Sequence, residues 1–289
     1  MNTYQNLHTH THFSDGSDAP EKYIEAAIAH GMNSIGFSDH SPLPFENSFA
    51  LKEDQVTTYC EEVQNAKCKM HDAPCKIDVF LGMEADYIPG TGHSFDYFRE
   101  NFPLDYLIGS VHLVSNGNPD ELWFIDGSNP KTYDDGLNRL FGGDIRKGVT
   151  AYYHQSNEML LTSKMEIIGH FDKIKMHNQN RYFREDEPWY LSLVEETLDL
   201  VKQKGVIVEV NTRGLYKKRS DSHFPGPAIL KKIHALNIPV IISSDAHKPA
   251  EIAMLFGKTA SLLYDIGFRE LMELTQSGWK SVPLKKQNG

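Results

Sequence analysis

The fourteen histidines of this 289-residue chain are unevenly spread, and many of them sit with acidic residues directly after short apolar runs. His8 and His10 come first, with Asp15 just beyond. Asp39-His40, Glu84 with Asp86, His112, and His170 with Asp172 follow. Glu209, Asn211 and Arg213 come next, and Asp245 with His247 close the series. Residues two apart on an extended segment point to the same side, so His8 with His10, and Asp245 with His247, can each grip one ion. Imidazole and carboxylate together suit Zn, Fe or Mn better than Ca or Mg. So many donors exceed what one tetrahedral ion needs, which implies two or three ions with Glu84 as a central bridging carboxylate. Such a site activates a water and clamps a phosphoryl group in line.

The elements that must position these groups alternate along the chain. Apolar runs of strand length cover Tyr4–Leu7, Ser34–Ser38, Val79–Met83, Tyr106–Val111, Glu166–Gly169, Val206–Val210 and Pro239–Ser243. Between them, Pro20–His30, Glu53–Met70, Trp189–Lys204 and Pro227–Leu236 carry apolar residues at helical steps of three and four. Pro20, Pro188 and Pro227 suit first helical turns, and Gly31 and Gly205 suit left-handed caps. Strand then helix, about seven times, predicts a parallel sheet with crossover helices. No glycine-rich phosphate loop follows the first strand, so an open doubly wound sheet is disfavoured and a closed βα barrel preferred. The strand ends of such a barrel meet at one mouth, which is where the ligand-type residues fall. The stretch from about Ser115 to Thr162 is too long for a simple crossover and reads as a helical insertion. The expected architecture is α/β, a distorted (β/α)7 barrel in a single domain over 1–289.

Composition narrows the partners. The chain is 40% hydrophobic and 24% charged, which suits a packed core rather than disorder. A net charge of −10 argues against a nucleic-acid polyanion but leaves room for a small anionic substrate beside bound cations. The N-terminal residues lack a basic region followed by an apolar one, and no apolar run reaches membrane-spanning length. Cys60, Cys68 and Cys75 are odd in number and lack CxxC spacing, so they read as idle thiols in a reducing cytoplasm.

The ordered series His8-Thr-His10, Asp15, Ser38-Asp39-His40, Gly82-Met-Glu84, Ser110-Val-His112, Gly169-His170-Phe-Asp172 and Ser244-Asp245-Ala-His247 resembles the motifs of the PHP (polymerase and histidinol phosphatase) superfamily. The likeness runs to about residue 260. The stretches IIGHFDKIKMHN, VEVNTRGLYKK and SSDAHKPAEI resemble its histidinol-phosphatase branch. The resemblance implies a distorted seven-stranded βα barrel, three metal ions, and nine ligands: His8, His10, Asp15, His40, Glu84, His112, His170, Asp245 and His247. It also implies a phosphomonoester hydrolase for L-histidinol phosphate, in which a metal-bridging hydroxide attacks phosphorus. Several relatives carry a histidine where this chain has Asp15, and that difference bears on the metal bound there.

On the substrate side, Arg213 offers a planar fork to phosphate oxygens, with Asn211 beside it. Lys217, Lys218 and Arg219 form a basic run of which one or two members are expected to hold phosphate, and His223 is a further candidate. Asp245, His247 and His223 are the alternatives for protonating the leaving alkoxide, with Glu84 at the centre of the catalytic set. Glu46, Asp86, Tyr87 and Tyr216 are candidates for the substrate's ammonium and imidazole. Asp39 and Asp172 are expected to accept hydrogen bonds from ligand imidazoles, and Glu209 to serve a supporting role. His12, His30, His71, His93, His154, His177 and His234 are not counted as ligands. The rival readings are a phosphoesterase acting on a nucleotide, a polyol phosphate or phosphotyrosine, and a non-catalytic metal-binding module.

Overall fold

A computed structural model describes residues 5–71, 77–118 and 121–286. Six parallel strands form its centre: β1 (Ser34–Phe37), β2 (Asp78–Asp86), β3 (Tyr106–Ser110), β6 (Ile167–Ile168), β7 (Ile207–Asn211) and β8 (Val240–Ser243), hydrogen-bonded in that order. β4 (Leu113–Ser115) and β5 (Leu122–Phe124) pair as a separate antiparallel hairpin. The seventh stave is the chain's own beginning. Asn6 bridges Ile35 on one side and Thr9 bridges Ala246 on the other. The His10 amide donates to the Ala246 carbonyl at 2.8 Å and the Ala246 amide to the His8 carbonyl at 3.0 Å. Residues 6–10 thus close the sheet into a distorted (β/α)7 barrel. Of the strand expected over Tyr4–Leu7, Tyr4 lies outside the described residues, as does Cys75, and the rest makes a single isolated bridge at Asn6 rather than a regular strand.

The helices fall where apolar spacing and caps place them. α1 (Pro20–Ala29) begins on its proline, and a short 3-10 turn at Glu53–Gln55 runs into α2 (Val56–His71). α3 (Phe95–Asn101) precedes β3, with the Ser94 hydroxyl capping the Tyr97 amide. The insertion holds the β4–β5 hairpin, α4 (Pro130–Phe141) and α5 (Ile145–Thr162), packed around the buried Trp123, whose Nε1 donates to the Tyr133 carbonyl at 2.8 Å. α6 (Pro188–Lys204) ends on Gly205 with φ +69°, the left-handed cap glycine tolerates without strain. α7 (Arg213–Tyr216), α8 (Pro227–Ala235) and α9 (Phe256–Ile266) complete the set, and none of the described helices is long and apolar enough to cross a membrane. A C-terminal hairpin, β9 (Glu270–Thr275) with β10 (Gly278–Pro283), escapes the sequence reading because its strands alternate only weakly.

Strand period places the site. Side chains two apart share the inner face, and that face changes character along each strand. At one end Leu7, Phe80, Tyr106, Ile108, Ile167, Ile207 and Ile241 pack into an apolar plug, covered by Leu274 of the C-terminal hairpin. Two and four residues onward the same faces carry Glu84, Ser110, Glu209, Asn211, Ser243 and Asp245. The plug is therefore the floor of a polar chamber. Tyr106 spans it, its hydroxyl donating to the Leu7 carbonyl at 2.5 Å and lying 3.1 Å from that of Phe37. A Cβ at Gly82 would fall 2.3 Å from the Tyr106 Cζ. Because the ring cannot retreat, Gly82→Ala should destabilise the fold by roughly 1–3 kcal/mol. Thermal melting would register this as a drop of several degrees, and an unchanged melting temperature would show that the floor is loosely packed.

Candidate metal centre

Glu84 lies at the middle of the chamber, 1% exposed. Its Oε2 is 3.2 Å from His8 Nε2, 3.5 Å from His10 Nε2 and 3.1 Å from His40 Nδ1. Its Oε1 is 2.9 Å from His170 Nε2 and 3.5 Å from His112 Nε2, and those two ring nitrogens stand 3.0 Å apart. Asp245 Oδ1 is 3.5 Å from His10 Nε2 and 3.9 Å from His8 Nε2. Asp15 joins from the first loop, its Oδ1 3.0 Å from His247 Nε2 and 3.7 Å from His10 Nδ1. The structure thus brings together all nine residues of the expected ligand set. Three groupings have donor atoms close enough to share an ion: His10, Asp15, His40 and His247; His8, His10 and Asp245; and His40, Glu84 and His112.

The side chains of this chamber fit a metal cluster on physical grounds. His8 Nε2, both ring nitrogens of His10, His40 Nδ1, His170 Nδ1 and Glu84 Oε2 are buried yet make no hydrogen bond, and such atoms are costly to bury without a partner. Burial works to raise the carboxyl pKa of Glu84, but His8, His40 and His112 overcome it and hold the group well below its usual range. Burial likewise opposes ionisation of Asp245, and His8 followed by Arg213 overcome it. His40 and His170 are shifted downward, chiefly by burial, toward the neutral form that ligation requires. Asp245 also adopts φ +51°, uncommon for a residue with a Cβ and of the kind that clusters at functional sites.

The carboxylates that orient the imidazoles are not the ones adjacent in sequence. Asp86 Oδ1 lies 2.8 Å from His112 Nδ1, and against the opposing effect of burial Asp86 and Glu84 lift that ring to about 10. Glu209 engages His8 Nδ1 and the Ser243 hydroxyl, and accepts the His170 amide at 2.6 Å and Asn211 Nδ2 at 3.1 Å. Asp39, expected in this role, instead accepts the Thr11 and Ser14 amides at 2.8 and 3.1 Å and so shapes the loop that presents Asp15. Asp172 accepts the Gly226 amide at 3.0 Å and pairs with Lys175.

The chamber opens into a cavity of about 210 Å³. Arg213 and Arg219 line it, whereas Lys217 pairs with Glu251 and Lys218 takes a left-handed turn outside the lining. Arg213 Nη1 donates to the Asp245 carbonyl at 2.7 Å and approaches His247 Nδ1 at 2.8 Å. The Asp245 carbonyl, which only accepts, is also 3.1 Å from His247 Nδ1, and Asp15 Oδ1 lies 3.0 Å from its Nε2. As a ligand His247 would have to exchange one of these contacts. Asn211 supports the site from behind, its Nδ2 donating to Asp245 Oδ2 at 3.1 Å and its Oδ1 accepting the Arg213 amide at 2.9 Å.

Sequence reasoning missed part of the cavity wall. Phe49 and Phe124 stack there with ring centroids 5.5 Å apart, and Asp126 stands beside them. Asp126 Oδ1 pairs with the buried Lys173 at 2.9 Å, and its Oδ2 faces His112 Nε2 at 3.7 Å. Phe124 and Asp126 belong to the insertion, so no barrel-strand pattern announces them. Tyr216 hydrogen-bonds to the Ser244 carbonyl at 2.9 Å, Tyr87 sits on α5 near Thr162, and Glu46 is exposed; none of the three lines the cavity. His12, His93 and His154 are exposed, while His177 braces the cavity loop by a 2.6 Å contact to the Gly127 carbonyl.

His223 lies away from the cavity, buried, with Nε2 2.9 Å from the Thr259 hydroxyl. Burial first, then Lys175, lowers its pKa from the ordinary 6.5 to about 4. The unfolded chain therefore takes up this proton first. The contribution of His223 to stability is complete above pH 6.5 and is lost as pH falls toward 4. His223→Gln should flatten that slope, removing about 3 kcal/mol of pH dependence in urea melts across the window. Equal slopes in the two proteins would place the acid sensitivity elsewhere.

A parallel βα barrel whose strand ends deliver clustered imidazoles and carboxylates defines a metallohydrolase-like chamber. Residues 6–213 match the family model described as PHP domain, and the chain belongs to that family. Among its relatives, the histidinol-phosphatase of Lactococcus lactis is 30% identical over 291 residues, covering 96% of each chain. A Deinococcus radiodurans protein described as a probable histidinol-phosphatase is 28% identical, covering 91% of this chain and 93% of that one. The crystal structure of histidinol phosphate phosphatase from Lactococcus lactis, complexed with Zn, L-histidinol and phosphate, superposes with a TM-score of 0.70 over 96% of this chain and 99% of that chain. Residues paired by that superposition are 20% identical, so the superposition speaks for the fold.

Proposed function

We propose that this protein is a metal-dependent phosphomonoester hydrolase that converts L-histidinol phosphate and water to L-histidinol and phosphate, in histidine biosynthesis in the cytoplasm. The observation that carries this reading is the chamber itself: nine His, Asp and Glu side chains, all but Asp15 buried or half-buried, converge, and six of them line a cavity of about 210 Å³ together with Arg213 and Arg219. The names of the relatives supply the substrate. We assign His8, His10, Asp15, His40, Glu84, His112, His170, Asp245 and His247 to two or three divalent ions, with zinc, present in the Lactococcus structure, the leading identity. Bound there, divalent ions would lower the pKa of a water and neutralise phosphoryl oxygens.

The chain's own groups do the rest. Arg213, which contacts Asp245 and His247, and Arg219, also in the cavity lining, would hold the phosphate beside the ligand cluster. Asp245 and His247, which line the cavity, are our candidates for returning a proton to the leaving alkoxide; His223, outside the lining, is not. Asp126 offers a carboxylate to the substrate ammonium, and Phe49 with Phe124 a flat apolar surface to its imidazole. The whole chain acts as one unit in this reading.

Phosphate release from a panel of esters tests it. L-Histidinol phosphate should exceed AMP, glycerol 3-phosphate and phosphotyrosine by about 100-fold in kcat/KM, equivalent to roughly 3 kcal/mol of differential transition-state binding. Preference for a nucleotide would replace the substrate. No hydrolysis of any ester by zinc-loaded protein would favour a non-catalytic metal-binding module.

A further inference from the structure

Outside the cavity lining lies an ion cluster that the reaction does not use, with Asp172 and Lys175 buried and Glu185 partly exposed. Lys175, 3% exposed, sets its Nζ 2.8 Å from Asp172 Oδ2 and 3.1 Å from Glu185 Oε2. Asp172 is fully buried, and its Oδ2 also accepts the Gly226 amide at 3.0 Å. Isolated buried ion pairs add little stability, because desolvation cancels most of the attraction. Their better-attested use is to select one arrangement of the chain, so the question is which segment this pair holds.

The segment is 224–226. Lys173 and Lys175 stand 5.5 and 5.9 Å from the Phe224 ring centroid. A Cβ at Gly226 would fall 2.5 Å from Lys175 Nζ, so backbone and ammonium are in close contact. Phe224 exchanges both backbone hydrogen bonds with Asn211, at 2.8 and 3.2 Å. Asn211 in turn donates to Asp245 Oδ2 and to Glu209 Oε2, each at 3.1 Å, and accepts the Arg213 amide. Hydrogen bonds at either end of the covalent segment 224–226 therefore link Asp172, through Gly226, Phe224 and Asn211, to Asp245.

We infer that Asp172 is a positioning residue: by accepting the Gly226 amide it sets Asn211, and through Asn211 the orientation of the Asp245 carboxylate and the Arg213 backbone. The inference rests on the assignment of Asp245 as a zinc ligand, and its action is on metal affinity as well as on turnover.

Two double variants separate positioning from mere support of the fold. Asp172→Asn/Lys175→Met removes both charges but keeps an acceptor for the Gly226 amide. Asp172→Ala/Lys175→Met removes the acceptor too. Zinc affinity is read by competition with a chromophoric chelator, alongside kcat, KM and melting temperature. The asparagine double variant should hold zinc within about threefold of wild type. The alanine double variant should bind its weakest zinc about 10- to 100-fold less tightly, the range seen when groups behind metal ligands are removed. Its kcat should fall in step while KM moves little. Equal zinc affinity in the two variants, at whatever stability, would overturn the inference. Failure of wild-type protein to bind zinc at all would instead remove the metal assignment, and this inference with it.

Discussion

Replacing Glu84 by glutamine should abolish turnover. The substitution keeps the shape of the side chain and removes one negative charge from the centre of five imidazoles, each with a ring nitrogen 2.9–3.5 Å from a Glu84 oxygen. An amide supplies one neutral oxygen where the cluster needs an anionic bridge, so at least one ion should be lost or displaced. We expect kcat/KM to fall about 10³-fold or more, equivalent to roughly 4 kcal/mol of transition-state stabilisation, with fewer ions per chain in elemental analysis. The circular dichroism spectrum should not change. A Glu84→Gln protein within tenfold of wild type, with its full metal complement, would remove Glu84 from the centre of the mechanism.

The second large effect is expected at Arg213. Its Nη1 reaches both the Asp245 carbonyl and His247 Nδ1, at 2.7 and 2.8 Å, and the side chain is only about a tenth exposed. That anchoring fixes the plane of the guanidinium beside the cavity. A lysine keeps the charge but offers a point donor on a flexible stem and cannot reproduce the fork. Arg213→Lys should therefore cost about 10²-fold in kcat/KM, the scale of losing one preorganised donor to a developing oxyanion, while the metal content stays at the wild-type level. Inhibition by inorganic phosphate should weaken in parallel. If phosphate inhibits the variant as strongly as it does wild type, Arg213 serves the fold or His247 rather than the substrate.

Much of this chamber is legible in the linear chain because barrel strands have period two and end at a common mouth. His8 with His10 and Asp245 with His247 announce paired donors by spacing alone, and Glu84 stands at the strand end where a central carboxylate is required. The same period shows why Asp39 was misread. It is one residue from His40, and on extended chain neighbours face opposite sides. Asp86, two residues beyond Glu84, faces inward and holds His112. Glu209 and Asn211 obey the same rule on β7. Asp172 follows His170 by two, but φ +20° at His170 turns the chain out of the extended form and sends the carboxylate to Gly226.

What stayed hidden lies off the barrel. Phe124 and Asp126 reach the cavity from the β4–β5 hairpin, an element with no fixed register to the strand ends. Phe49 arrives from the long connection between β1 and α2. Their convergence depends on how the insertion packs around Trp123, and that is a property of volume and shape rather than of spacing. The run Lys217–Arg219 shows the complementary failure. Three cations in a row look equivalent as letters, yet the turn after α7 points Arg219 at the cavity and gives Lys217 to Glu251.

Anomalous diffraction from zinc-equilibrated crystals would test most directly whether the convergent side chains hold metal. Two or three peaks should appear within the chamber, each about 2.0–2.2 Å from imidazole nitrogens or carboxylate oxygens, one of them shared by Glu84. A chamber with no anomalous peak, in crystals whose protein still hydrolyses L-histidinol phosphate, would contradict the account.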